Sequence, residues 1–209
     1  MRLFIAVPLP KELTDRAAAL LPPAVPALKR VRPELMHITL AFLGWTPDER
    51  LEAVVEAAQA ATTGHRRFDL AFAGAGRFPT SGRPRVVWIG IGEGTEALAT
   101  LAAGVTTELR RRGLHFDDRP FAPHLTLARL QADASGPEAR TVAAALADLK
   151  VPELHAPVDR IAVVESVLSP KGPRYAVRAE VPLDDRNQPL GLPVPISDWH
   201  TRIRQRGQP

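Results

Sequence analysis

The sequence predicts an α+β fold: two pseudo-symmetric lobes, each a small, mainly antiparallel sheet backed by helices, arranged around a central cleft. Three observations carry this reading. Short apolar, β-branched runs alternate with amphipathic helical stretches along most of the 209 residues. Two of those runs, His37-Ile38-Thr39-Leu40-Ala41-Phe42-Leu43-Gly44 and His124-Leu125-Thr126-Leu127-Ala128-Arg129-Leu130, are nearly the same string placed far apart. A turn-forming segment, Pro79-Thr80-Ser81-Gly82-Arg83-Pro84, divides two successive strands and makes them an antiparallel hairpin.

In chain order, Arg2 to Val7 reads as a first strand, because its apolar run is short and stops at Pro8 and Pro10 without a cleavage-type segment. Pro10 opens a helix to about Leu21, with Leu13, Ala17 and Leu20 on its core face, and Pro22, Pro23 and Pro26 end it. The first His-x-Thr strand follows and stops at Gly44. Thr46-Pro47-Asp48-Glu49 carries the signature of a helix start, with Thr46 as cap, and the helix runs to about Ala61. Phe68 to Phe78 and Arg85 to Ile91 are the strands of the hairpin. A long helix from Thr95 to Arg112 ends in three arginines and Gly113, cations at the negative end of the helix dipole followed by a stop. A loop containing Pro120 and Pro123 delivers the second His-x-Thr strand. A helix from Pro137 to about Leu149, capped at Ser135 or Gly136, precedes two last strands, Arg160 to Leu168 and Arg174 to Val181. Residues 1–182 form one bilobal domain on this reading, and residues 183–209 a tail rich in proline and arginine.

Composition narrows the chemistry. Hydrophobic residues make up 45% of the chain, and no run approaches the roughly 20 apolar residues of a membrane span. The absence of cysteine excludes disulfides, thiolate nucleophiles and Cys-ligated metals, and fits a cytoplasmic protein. A net charge of +4 favours an anionic partner. There is no H-E-x-x-H pattern and no phosphate-binding loop; Gly90-Ile91-Gly92-Glu93-Gly94 reads as a strand-to-helix turn.

That leaves the repeated strands. On a regular strand one face of the first carries His37, Thr39, Ala41 and Leu43, and one face of the second carries His124, Thr126, Ala128 and Leu130. Imidazole titrates near neutral pH, so two histidines on opposite sides of one phosphorus can divide the labour, one taking a proton from water and the other giving one to the departing oxygen. Each threonine, two residues along, can donate its hydroxyl to a phosphate oxygen. The spacing names no substrate and treats the two histidines as equivalent. His65, His115, His155 and His200 read as surface or loop residues.

These strands, together with Ala122-Pro123 before the second, Arg2 to Val7, and the run from Glu165 to Tyr175, resemble the two-histidine (2H) phosphoesterases. More narrowly, they are similar to the bacterial and archaeal RNA 2′,3′-cyclic phosphodiesterases, historically called 2′-5′ RNA ligases, over residues 2 to about 182. The resemblance implies a bilobal α+β fold. It also implies hydrolysis of RNA or nucleoside 2′,3′-cyclic phosphate ends to 2′-phosphates without metal or cofactor, with 2′-5′ joining of RNA ends as an incidental reverse reaction. The chain is expected to act as a monomer. By the same resemblance His37 is the proton donor to the leaving 3′-oxygen, His124 the proton acceptor that activates water, Thr39 and Thr126 the phosphate holders, and Arg129 a substrate-binding residue. On a regular strand Arg129 faces away from His124; it reaches the cleft only where the strand bends or ends, and otherwise makes a salt bridge at the core edge. Phe4 and Phe42 read as core residues, with base stacking as the other role open to them. Two alternatives stay open: a relative acting on another cyclic phosphate or a 2′-5′-linked oligonucleotide, and an RNA-binding module with little turnover.

Overall fold

The computed structural model describes residues 1–21, 27–147, 149–170 and 172–184. Its strands are β1 (Arg2–Pro8), β2 (Leu28–Arg30), β3 (His37–Trp45), β4 (Phe68–Phe78), β5 (Val86–Ile91), β6 (His124–Leu130), β7 (His155–Val158), β8 (Arg160–Val167) and β9 (Arg174–Pro182). Its helices are α1 (Lys11–Ala18), α2 (Leu51–Thr62), α3 (Thr95–Arg111) and α4 (Gly136–Ala147). The strands form two sheets, ordered β3-β1-β8-β9 and β2-β6-β5-β4-β7, and every neighbouring pair is antiparallel. The fold class is therefore the one the sequence predicts.

Each long element forms for a local reason. Leu98, Leu101, Val105 and Leu109 recur at helical spacing and place one face of α3 in the core. Gly94, at φ +80°, opens that helix, and a Cβ there would stand 2.4 Å from the Asp69 carbonyl oxygen, so only glycine fits. Gly113, at φ +62°, closes it while Leu114 N–H donates to the Leu109 carbonyl. At α4 the Ser135 hydroxyl donates to Glu138, and the Glu138 N–H reaches back to that hydroxyl, which makes Ser135 the cap. The expected cap at Thr46 does not form: its hydroxyl points to the Gly44 carbonyl, and a short 3-10 turn (Asp48–Arg50) leads into α2.

The short strands β2 and β7 leave no signal in the sequence. Three and four residues are too few to show alternation, and β7 contains Pro157, tolerated because β7 is an edge strand. The lobes are also not successive halves of the chain. A β1–β3 pair is too small to be stable alone. The last strands, β8 and β9, return to complete that sheet, and β4 and β5 from mid-chain build the other around β6. A single hydrophobic core joins the inner faces of both sheets with α1, α2 and α3; Leu3, Ile5, Ile38, Ile89, Leu125, Leu127 and Ile161 are fully buried in it. Burial of one such side chain stabilises the fold by about 1.5–3 kcal/mol. Leu183 and Asp184, in the segment expected as a tail, belong to the described fold: Leu183 is buried, and Asp184 bonds to the backbone at Gly64, His65 and Arg67. The remainder of that segment, His200 included, lies outside the described residues.

The internal repeat is legible in three dimensions. The orders β1-α1-β3-α2 and β5-α3-β6-α4 match apart from the short β2, and in each the His-x-Thr strand pairs antiparallel with the strand before its helix.

Candidate active site

The two sheets turn their inner faces to the shared core, and β3 and β6 are in contact where the sheets meet. The charges of His124 and Arg129 on the second sheet act on His37 on the first, so the outer faces converge there on a cleft. On the first sheet, Pro8 pairs with His37, Ala6 with Thr39 and Phe4 with Phe42. Phe4 and Ala6 belong to a small outer cluster with Ala162 and Val164, against which Phe42 and Tyr175 pack. Cross-strand partners share a face, so His37, Thr39 and Phe42 look out over that cluster. On the second sheet, Gly90 pairs with His124 and Trp88 with Thr126.

Both strands break their alternation at the same place. Opposite Ile5 and Ala6 stand Ala41 and Thr39, leaving Leu40 without a partner; opposite Val87 and Trp88 stand Ala128 and Thr126, leaving Leu127 without one on that side. Each is a β-bulge at the Leu-Ala pair after His-x-Thr. The bulge puts Ala41 beside Leu40, and Ala128 beside Leu127, on the core side. This corrects the regular-strand expectation: Ala41, Leu43, Ala128 and Leu130 do not share the face of the histidines but pack into the core. Phe42 and Arg129 take the outer face in their stead. Arg129 is thus exposed on the outer face, and it makes no salt bridge among the described residues. Its charge acts on His37, His124 and Tyr175.

The two imidazoles are held alike. His37 Nδ1 donates to the Leu35 carbonyl at 2.8 Å, and His124 Nδ1 donates to the Ala122 carbonyl at 2.6 Å, in each case two residues back. A carbonyl can only accept, so the proton sits on Nδ1 and Nε2 is the atom left to exchange one. Both rings are half-buried. Burial is the main force pushing each below the usual imidazole pKa; the backbone bond opposes it, and the Arg129 cation adds to it. His37 also feels His124. The hydroxyls of Thr39 and Thr126 have no hydrogen-bond partner among the described residues. Among those residues no group of three or more His, Cys, Asp or Glu side chains stands together to hold a metal ion.

A profile of the 2′-5′ RNA ligase superfamily matches residues 9–169. The chain belongs to that family. The chain is 35% identical over 177 residues to the Archaeoglobus fulgidus RNA 2′,3′-cyclic phosphodiesterase, an alignment covering 84% of this chain and 96% of that one. A crystal structure from Thermus thermophilus superposes with a TM-score of 0.72 at 31% identity, over 90% of this chain and 100% of the other. E. coli LigT complexed with 3′-AMP superposes with a TM-score of 0.67 at 28% identity, over 87% and 97%.

Within this 2′-5′ RNA ligase-type fold, the surroundings of the histidines went unassigned in the sequence. Phe4 stacks on His37 at 4.7 Å between ring centres, and Tyr175 meets His37 edge-on at 5.5 Å. Phe78 meets His124 edge-on at 5.0 Å, and Trp88 lies 6.2 Å from it. Trp88 lies flat against Gly76, where a Cβ would stand 2.4 Å from the ring, and its buried indole N–H has no acceptor among the described residues. Phe4 is buried, as expected of a core residue, in the smaller cluster on the outer face of its sheet, and Phe42 is half-buried with the Arg2 guanidinium over its ring. The signal for Trp88 was its register opposite Thr126, which only pairing reveals. His65 and His115 lie in turns or loops, and exposed His155 begins β7 beside Glu153. A cavity of about 380 Å³ adjoins His37, with Phe4, Ala6, Met36, Val164 and Tyr175 among its lining.

Proposed function

We propose that this protein hydrolyses RNA or nucleoside 2′,3′-cyclic phosphate ends to 2′-phosphates by two-histidine acid–base catalysis. The observation that carries the reading is the matched pair of imidazoles, each with Nδ1 committed to the backbone and Nε2 left for proton transfer, set in a cleft with Arg129. Water attacks phosphorus as its proton passes to Nε2 of His124. The bond from phosphorus to the 3′-oxygen breaks, and that oxygen takes the proton on Nε2 of His37. The products are a 3′-hydroxyl and a 2′-phosphate. Thr39, Thr126 and Arg129 offer donors and charge to the non-bridging oxygens, where hydrogen bonds and cations lower the barrier most. The cavity beside His37 leaves room for the nucleoside, which must lie on the leaving-group side. Burial disfavours the protonated imidazole of His37, and an anionic phosphate bound beside it favours that form again.

A monomeric state goes with this reading. So does a cytoplasmic location; among the described residues no helix is long and apolar enough to cross a membrane. The test is turnover of a 2′,3′-cyclic nucleotide in the presence of a chelator, with the product phosphate located by 31P NMR. His37→Ala and His124→Ala each lower kcat by about 10²–10⁴-fold. Full activity in either variant, or RNA binding with no hydrolysis by the unaltered protein, overturns the proposal.

A further inference from the structure

Beside Arg129 lies a second cation, Lys29, that the reacting phosphate does not account for. Lys29 is exposed on the edge strand β2, directly opposite Arg129 in register, while Val86 flanks Arg129 on the other side. Residues paired across strands point to the same face. Lys29 and Arg129 therefore stand side by side on the cleft side of the sheet, next to the Thr126–Trp88 pair. Like charges directly opposite one another weaken a sheet. Other exposed arginines stand against carboxylates: Arg110 with Asp118, Arg160 with Asp159 and Glu180, Arg178 with Glu165. Neither Lys29 nor Arg129 has an ion pair or side-chain hydrogen bond among the described residues. The Arg129 charge reaches both histidines, whereas Lys29 is not among the charges acting on either. In the order β2-β6-β5, Lys29 lies one strand beyond Arg129, about 4.8 Å away at the backbone, so its side chain can reach a phosphate next to the one Arg129 meets.

We propose that Lys29, beside Arg129, forms a second phosphate subsite that holds the internucleotide phosphodiester preceding the terminal cyclic phosphate of an RNA chain. The inference rests on the cyclic phosphodiesterase reading and extends it: the preferred substrate is an oligoribonucleotide end, not a free nucleotide. The pair of cations persists against its own repulsion because a polyanion neutralises it.

The test compares kcat/KM of the full-length protein on a nucleoside 2′,3′-cyclic phosphate and on a short oligoribonucleotide carrying the same terminus, over a range of salt concentrations. The unaltered protein favours the oligonucleotide. Lys29→Gln lowers the ratio of the two values about fivefold and makes the logarithmic salt slope on the oligonucleotide shallower by about 0.7, the loss of one single-strand phosphate contact. Lys29→Arg keeps both. An unchanged ratio and slope in Lys29→Gln, with both substrates turned over, overturns the second subsite and leaves the cyclic phosphodiesterase reading standing. Failure of the unaltered protein to turn over either substrate overturns both.

Discussion

His37 and His124 are governed by the same opposing forces. Burial and the Arg129 cation disfavour the imidazolium, and the bond from Nδ1 to a carbonyl favours it; the first pair wins at both residues. Both free-protein pKa values therefore lie below 6.5. In a mechanism that needs one imidazole protonated and the other neutral, kcat/KM follows a bell whose maximum lies between the two values. The maximum is thus expected below about pH 6.5, the ordinary imidazole value, which a pH profile on a cyclic mononucleotide measures. Removing the cation with Arg129→Ala relieves part of the penalty on each imidazolium, so both pKa values rise and the maximum moves to higher pH. The same substitution lowers kcat/KM by roughly 10²-fold if the guanidinium also meets developing phosphate charge. A maximum that stays in place would show that Arg129 does not face the histidines.

At the scale of the element, the bulge is the device that makes the site. A one-residue change in alternation sends Ala41 and Ala128 to the core beside Leu40 and Leu127 and brings Phe42 and Arg129 to the cleft. Its recurrence at the same Leu-Ala step in both strands is the most specific sign that β1-α1-β3-α2 and β5-α3-β6-α4 are versions of one unit. The strands supporting the second unit are equally tuned. Gly76 on β4 leaves the surface on which the Trp88 indole lies, and Trp88 and Phe78 flank His124. Gly76→Ala puts a methyl group into that ring and forces the indole, which lies 6.2 Å from His124, to shift. Misplacement by about 1 Å can cost up to roughly 10²-fold in rate. Gly76→Ala should therefore lower kcat while far-UV circular dichroism stays unchanged. Unaltered kcat would mean that the indole does not position His124.

For the whole molecule, the shared core decides behaviour. The sheets are bilobal in outline yet meet through one apolar interior, with α3 contributing Leu98, Leu101 and Leu109 to it. The lobes should not melt separately. Leu101→Ala, which leaves a cavity under both, is expected to cost about 2–5 kcal/mol and to lower the midpoints of Trp fluorescence and far-UV circular dichroism together. Two separated transitions would show that each lobe has a core of its own. Interleaving of the chain points the same way, since β8 and β9 complete the sheet begun by β1 and β3. Neither sheet can be finished until the chain has passed through the other.

Much of this was written locally. Periodicity placed α3 and the β4–β5 hairpin, glycines at Gly94 and Gly113 bounded a helix, and the doubled His-x-Thr strand singled out His37, Thr39, His124 and Thr126. These signals are short-range: they depend on spacing, on capping, and on backbone conformations that only glycine adopts. What the tertiary structure decided depends on pairing between distant residues. It set the bulges that bring Arg129 round, the ring of Phe4, Tyr175, Phe78 and Trp88 about the histidines, the place of Lys29 beside Arg129, and the short strands β2 and β7. Alternation along one strand cannot foretell where it breaks, because a bulge is defined by the strand opposite it.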